Sequence, residues 1–141
     1  MKSIREKQDE IVADFKEMGD DFVKYSYLIN LSGMLPDMDE SMKNNANMVG
    51  GCQSRVWLDI KVSGGRMYFN ADSDTMIIKG ILYLLREILS GQYVKAVSDA
   101  NIDFLDRADI MVTFESDRRK GIGYIIKKIK ETASSSLYLS M

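Results

Sequence analysis

The chain has 141 residues, and its 45% hydrophobic content is enough to fill one core but not two. Its formal net charge of −2 provides no basic field for nucleic acid, and no apolar run approaches the roughly 18 residues of a membrane span. The absence of histidine excludes an imidazole base and a histidine-ligated metal site, and the single cysteine excludes an internal disulfide.

The amino-terminal residues 1–7 are charged and lack the apolar stretch of a signal peptide. A lone cysteine also fits a reducing compartment, since any oxidised state would need a second molecule. We therefore expect a soluble cytoplasmic protein that forms a single domain over residues 1–141 and binds neither nucleic acid nor membrane.

Two amphipathic helices are predicted in the first quarter of the chain. Ser3 and Glu6 form a capping-box pattern at the start of the first helix, and Gly19 is a typical stop. The second helix is predicted to begin near Asp20 and to end at Gly33. Apolar residues recur at helical spacing in both, so we expect the two helices to pack as a pair.

A β-hairpin is predicted next. From Ser54 to Val62 apolar and polar residues alternate strictly, which is typical of a half-buried strand. Gly64 and Gly65 supply a two-residue turn, and the apolar face continues on a returning strand up to Ala71. The segment predicts a small antiparallel sheet, with the cysteine just before its first strand.

Helices are predicted for most of the remaining chain. Residues 72–74, with the sequence Asp-Ser-Asp, are a typical N-terminal cap for a central buried helix that ends at Gly91. A short helix is predicted within residues 92–100, and Asp117 is predicted to cap the last helix. Residues 132–141 are expected to form a frayed tail. The order of elements indicates an α+β fold in which a small antiparallel β-sheet packs against several α-helices.

Cys52 is the residue with the most restricted chemistry. Gly50 and Gly51 precede it, and residues without a side chain let the backbone bring another molecule's reacting atom close to the sulfur. A thiolate is nucleophilic, and nearby backbone N–H groups or a guanidinium would increase its fraction at neutral pH. The residues leave two interpretations open: a reactive thiol on a loop tip, or a small buried hydrophobic residue.

Several short motifs in the chain have a specific order and spacing. The segment 51–57 reads Gly-Cys-Gln-Ser-Arg-Val-Trp, and the segment 71–74 reads Ala-Asp-Ser-Asp. Ile-Lys-Gly follows at 78–80, and Arg118 lies three residues before Gly121. Together these motifs resemble the SufE family of sulfur acceptors in iron–sulfur cluster assembly. The resemblance extends over most of the chain and implies a SufE/NifU-like fold.

The resemblance implies that Cys52 accepts persulfide sulfur from a cysteine desulfurase of the SufS-like type, a pyridoxal-phosphate enzyme. The protein would stimulate the desulfurase and pass the sulfur to an iron–sulfur scaffold complex. It would bind no cofactor or metal of its own, and would be a sulfurtransferase-like accessory protein without independent turnover. Sulfur in transit needs protection from cellular thiols, so we expect it to rest in an apolar hollow and to swing out on the glycine-flanked loop when the partner docks.

Further site residues follow from the resemblance and from residue chemistry. The family's arginine falls on Arg118, which is predicted to stabilise the thiolate or the attacked persulfide. Gln53 and Ser54 are predicted either to donate hydrogen bonds to a sulfur anion or simply to end a turn. Asp72 and Asp74 are predicted to cap the following helix, and support of the cysteine loop is compatible with that role.

Two other functions remain open. A non-catalytic adaptor or allosteric activator of a desulfurase would use the same surface, with Cys52 as a structural residue only. A direct iron–sulfur scaffold needs several thiolate or histidine ligands, so one cysteine without histidine makes this function the least favoured.

Overall fold

The computed structural model describes residues 1–140, including the side chains of all of these except Thr113 and Ser140. The helices and strands, in chain order, are α1 (Ile4–Met18), α2 (Asp21–Ser32), β1 (Val56–Ser63), β2 (Arg66–Ser73), α3 (Met76–Leu89), α4 (Val94–Asp99), α5 (Phe104–Arg107) and α6 (Ser116–Ser140). Short 3-10 turns lie at Glu40–Met42, Asn45–Asn47 and Met111–Thr113. This is the predicted α+β architecture, with one two-stranded antiparallel sheet among the described residues.

The two amino-terminal helices form as their caps predict. The Ser3 hydroxyl accepts a hydrogen bond of 3.0 Å from the Glu6 N–H, and the Glu6 carboxylate accepts one from the Ser3 N–H. Gly19 ends α1 with a left-handed φ of 66°. The Asp20 carboxylate accepts hydrogen bonds from the first backbone N–H groups of α2. Both helix boundaries are therefore determined by local side chains.

Helix α2 packs mainly on α3 rather than on α1. The rings of Phe15 in α1 and Tyr27 in α2 meet edge to face, so the predicted pair does touch. The closer approach is at Gly80 of α3, where a Cβ would lie 2.1 Å from the carbonyl oxygen of Leu28 in α2. Because any side chain would overlap the α2 backbone, glycine is what permits this contact. The contact between α1 and α2 is therefore secondary to the one between α2 and α3.

The hairpin has the predicted turn, and its second strand ends at Ser73 rather than at the predicted Ala71. β1 and β2 pair antiparallel in a register that places Val56 opposite Ser73. Gly64 and Gly65 have φ angles of 59° and 76°, which are the positive angles of a two-residue type I′ turn. The first strand begins at Val56 rather than at the predicted Ser54. The sequence therefore locates the turn correctly and the strand ends only to within two residues.

The outer face of β1 is more buried than strict alternation predicts. Trp57 lies on that face, yet only 9% of its surface is exposed. The ammonium group of Lys43 lies 5.9 Å from the centroid of the Trp57 ring, and Met48 forms a β-bridge with Trp57. The segment before the hairpin therefore covers the tryptophan.

Helix α3 is the central buried helix, but its predicted cap is wrong. Asp72 and Ser73 belong to β2, and the N-cap residue is Thr75, whose side chain makes no capping hydrogen bond. The carboxylate of Asp74 accepts a hydrogen bond from the Arg55 N–H at 3.1 Å instead. Pairing with β1 keeps Asp72 and Ser73 extended, so these residues continue β2 instead of capping α3. The core residues of α3 are Ile77, Ile78, Ile81, Leu82, Leu84, Leu85, Ile88 and Leu89.

Helix α6 is longer than predicted at both ends. It begins one residue before Asp117, which therefore lies in the first turn rather than at the cap. Where the sequence predicts a frayed tail over residues 132–141, the helix continues to Ser140, and Ala133 is fully buried. Met141 lies outside the described residues. Within residues 1–140, no helix combines the length and the hydropathy needed to cross a membrane.

Candidate functional site

Cys52 lies on the loop between the turn at Asn45–Asn47 and strand β1. A backbone hydrogen bond of 2.8 Å from the Val49 N–H to the Val56 carbonyl closes the base of this loop. The Cys52 side chain is half-buried, and its Sγ donates a hydrogen bond of 3.4 Å to the carbonyl oxygen of Gly121 in α6. The thiol is therefore on a loop and also packed against a helix.

The loop and the helix approach each other at two glycines, Gly51 and Gly121. Gly51 has a φ of 84°, and a Cβ there would lie 2.7 Å from Cε2 of Tyr124. Gly121 faces the cysteine, since a Cβ there would lie 3.6 Å from the Cys52 Sγ. Gly50, in contrast, has open space around it and no left-handed φ. Of the two loop glycines, only Gly51 is required by the local geometry.

A small cavity of about 30 Å³ lies beside the thiol. Its lining brings together the predicted cysteine and arginine, the two polar residues after the cysteine, and apolar core residues. The lining residues are Cys52, Gln53, Ser54, Val56, Ile78, Asp117, Arg118, Gly121 and Ile125. A volume of this size holds about one or two water-sized groups. Within the described residues, no group of three or more cysteine, histidine or acidic side chains is arranged to hold a metal ion.

Burial raises the pKa of the Cys52 thiol above its ordinary value. The resting structure therefore favours the neutral thiol over the nucleophilic thiolate at neutral pH. Arg118 lines the same cavity, and the central carbon of its guanidinium lies 5.8 Å from the centroid of the Phe114 ring. The predicted arginine and the thiol therefore share one cavity, while burial determines the resting ionisation of the sulfur.

The two polar residues after the cysteine bond to neighbouring elements. The Gln53 amide Nε2 donates a hydrogen bond of 3.0 Å to the Asp117 Oδ2 in α6. The Ser54 and Thr75 hydroxyls share a hydrogen bond of 2.7 Å just before α3. Both side chains fasten the loop to the helices around it rather than to the sulfur.

Neither predicted aspartate lines the cavity. Asp74 binds Arg55 twice, because its carboxylate accepts from the Arg55 N–H and its own N–H donates to the Arg55 carbonyl at 3.2 Å. Asp72 is paired with the ammonium groups of Lys43 at 2.8 Å and Lys79 at 3.6 Å. Burial tends to raise the pKa of Asp72, but its hydrogen bonds and the two positive charges outweigh burial and lower that pKa. Asp74 therefore fixes the exit of the cysteine loop, and Asp72 holds Lys43 in place.

Sequence reasoning missed two contributors on α6. Asp117, predicted as a cap, binds Gln53, and the ring of Tyr124 packs on the loop. Asp117, Gly121 and Tyr124 are spaced by four and three residues, which places them on one face of a helix. That spacing indicates a shared helix face, but the segment that this face contacts is defined only by the folded chain.

Comparison with known proteins identifies a family by sequence. The model of the family described as SufE, Fe-S metabolism associated domain, matches residues 9–133. An uncharacterised SufE-like protein of Rhizobium meliloti is 28% identical over 134 residues, which cover 92% of this chain and 96% of that protein. The chloroplastic SufE-like protein 2 of Arabidopsis thaliana is 34% identical over 103 residues, which cover 72% of this chain and 40% of that protein.

A solved structure shares the fold. The solution structure of a hypothetical protein from Thermus thermophilus matches this chain with a TM-score of 0.77 and 19% sequence identity. The match covers 94% of this chain and 96% of the other. It confirms the predicted α+β fold.

Proposed function

Because the chain belongs to the SufE family of iron–sulfur metabolism domains, we propose that Cys52 accepts sulfur from a cysteine desulfurase. The desulfurase, a pyridoxal-phosphate enzyme of the SufS-like type, takes sulfur from cysteine and holds it as a persulfide. The product on this chain is a Cys52 persulfide, which an iron–sulfur scaffold complex then accepts. In this role the protein is a cytoplasmic accessory that stimulates turnover of the desulfurase.

The transfer is a thiol exchange at the outer sulfur of a persulfide. The Cys52 thiolate attacks that sulfur, and a new S–S bond forms. The S–S bond of the donor breaks, and the donor cysteine leaves as a thiolate. The outer sulfur keeps its proton throughout, so one thiolate and one persulfide give one persulfide and one thiolate without any outside oxidant or reductant.

The observation that carries the proposal is the position of the Cys52 sulfur beside a cavity of about 30 Å³. Buried Val56, Ile78 and Ile125 form the apolar part of its lining. A cavity of this size has room for one additional sulfur atom beside the thiol. This room supports shelter of the transferred sulfur at Cys52.

The raised pKa of Cys52 supports a resting state of low reactivity. Movement of the loop away from α6 returns the sulfur to water, which lowers the thiol pKa and increases the thiolate fraction. In this proposal Arg118, which lines the same cavity, stabilises the anion as it forms. In this proposal the thiol becomes reactive when the partner displaces the loop.

Mass spectrometry of the intact protein tests the proposal. Incubation with a desulfurase and cysteine should add one sulfur atom to the wild-type chain, and dithiothreitol should remove it. Cys52→Ser should gain no sulfur, and Arg118→Ala should gain it several-fold more slowly than wild type. Arg119→Ala is the matched control, because Arg119 is an exposed neighbour that does not line the cavity. A normal sulfur gain by Cys52→Ser would overturn the proposal.

A non-catalytic activator is the second candidate function, favoured by the half-buried thiol with its raised pKa. Under that function, Cys52→Ser and Cys52→Ala bind the desulfurase and stimulate it fully. Under sulfur transfer, the same variants bind but stimulation falls to the level of the desulfurase alone. Desulfurase turnover, measured together with binding of each variant, separates the two.

A further inference from the structure

The loop that carries Cys52 lies along one face of helix α6. Three consecutive loop residues contact residues from successive turns of this helix, and the two segments run in opposite directions. In loop order, Gly51 packs against Tyr124, Cys52 bonds to the Gly121 carbonyl, and Gln53 bonds to Asp117. The thiol is therefore held between two flanking contacts to the same helix face.

We infer that the hydrogen bond between Gln53 and Asp117 is a latch that holds the Cys52 thiol against α6 and limits its reactivity. The inference deepens the proposed function, since it names the residues that control access to the acceptor thiol. Gln53 and Asp117 are positioning residues here, because they act through the position of the loop.

The latch is the strongest polar contact between the loop tip and the helix. A thiol is a weak hydrogen-bond donor, so the 3.4 Å contact of Cys52 contributes little. Tyr124 is 44% exposed, and the contact of its ring with Gly51 is van der Waals contact without a hydrogen bond. The bond from Gln53 is 3.0 Å long and ends on a carboxylate, which makes it charge-assisted.

The latch is also placed where another protein can open it. Gln53 and Asp117 are both exposed. The base of the loop is fixed by the Val49–Val56 backbone bond and by the bonds of Asp74 to Arg55, so the tip moves about a rigid base. A docking protein that displaces the Gln53 amide from Asp117 therefore releases the loop.

Alkylation of Cys52 by iodoacetamide in the free protein tests the latch without any desulfurase. Asp117→Ala and Gln53→Ala should each raise the alkylation rate about two- to ten-fold, the range expected for loss of one hydrogen bond. The midpoint of the rate against pH should fall toward the ordinary thiol value, because the sulfur spends more time in water. A merely structural role for Asp117 would leave this midpoint unchanged.

Three variants serve as controls. Glu115→Ala removes an exposed acidic charge at the same end of α6, outside the cavity lining, and should leave the rate unchanged. Asp117→Asn keeps an acceptor oxygen for Gln53 but loses the charge, so its rate should lie between those of wild type and Asp117→Ala. The double variant Gln53→Ala/Asp117→Ala should react no faster than the faster single variant, because the two side chains share one bond.

The inference is overturned by unchanged alkylation in both single variants, by additive effects in the double variant, or by an equal effect of Glu115→Ala. Circular dichroism melting shows whether each variant is folded, and if Asp117→Ala is not, Gln53→Ala on the exposed loop decides alone. Absence of sulfur transfer to Cys52 would remove the proposed function and leave the alkylation rates as they are. The two conclusions therefore fail separately.

Discussion

Two glycines in this protein each allow a close contact, and the two contacts differ in whether main chain or a side chain lies opposite the glycine. At Gly80 the backbone of α3 lies so close to α2 that a Cβ would be 2.1 Å from the Leu28 carbonyl oxygen. At Gly51 a Cβ would meet the ring of Tyr124, a side chain that is 44% exposed. The first contact joins two main chains inside the core. The second joins a loop to one side chain that is free to rotate toward solvent.

The comparison shows that what lies opposite a glycine decides whether its contact is permanent. Main chain opposite Gly80 cannot move unless two helices separate, and that would expose a large part of the core. A ring opposite Gly51 moves by rotation about its own side-chain bonds. The same residue type therefore supports a rigid frame in one region and a releasable loop in the other.

The largest expected effect is at the rigid contact. Gly80→Ala should lower the free energy of unfolding by about 3 kcal/mol, because the new Cβ overlaps main chain that cannot shift without moving a helix. Gly123→Ala is the matched control: no heavy atom lies within 4 Å of its Cβ position, and alanine favours a helix over glycine by up to about 1 kcal/mol. Urea denaturation measures both. A small loss at Gly80 would mean that α2 and α3 separate easily, and the contrast between the two contacts would disappear.

The next effect concerns the two ion pairs of Asp72, near the end of β2. Asp72→Asn should lower the free energy of unfolding at neutral pH by about 1–2 kcal/mol, because the buried residue loses its pairing with Lys43 and Lys79. The pKa of Asp72 is lowered in the folded protein, so its stabilisation is present above the ordinary aspartate pKa and is lost as pH falls through the lowered value. The difference between wild type and variant should therefore shrink on acidification.

The control for this prediction is Asp99→Asn, which removes an exposed ion pair with Lys95 on the surface of α4. Exposed pairs contribute little, so this variant should unfold like wild type at every pH. Denaturation curves between neutral and acidic pH compare the two variants. A pH-independent difference at Asp72 would contradict the assigned role of its charge.

A loss of stability no larger than that of Asp72→Asn is expected at the releasable contact. Gly51→Ala should cost about 1–2 kcal/mol, because alanine is strained at a φ of 84° and its Cβ meets the Tyr124 ring. The displaced loop should at the same time react faster with iodoacetamide at Cys52. In the double variant Gly51→Ala/Tyr124→Ala the ring overlap is relieved and the backbone strain remains. Gly50→Ala, with open space and no left-handed φ, should change neither quantity.

The candidate site was predictable in part. The motif around Cys52 and the position of Arg118 identify residues that the fold brings to one cavity. Asp72 and Asp74 were assigned wrongly as caps because an Asp-Ser-Asp run fits a helix start and a strand end equally well by local criteria. The choice between them depends on pairing with β1, which extends β2 through Ser73 and leaves Asp72 to pair with Lys43 and Lys79.

What the sequence by itself determined is local: the helix caps at Ser3 and Asp20, the Gly64-Gly65 turn, and the identity of the single thiol. These features depend on side chains a few residues apart. The tertiary structure decided that the thiol is half-buried and that Gln53 meets Asp117, a residue 64 positions away in the chain. Contacts of that separation form only when the core brings α6 beside the loop, so no local pattern of residues could determine them.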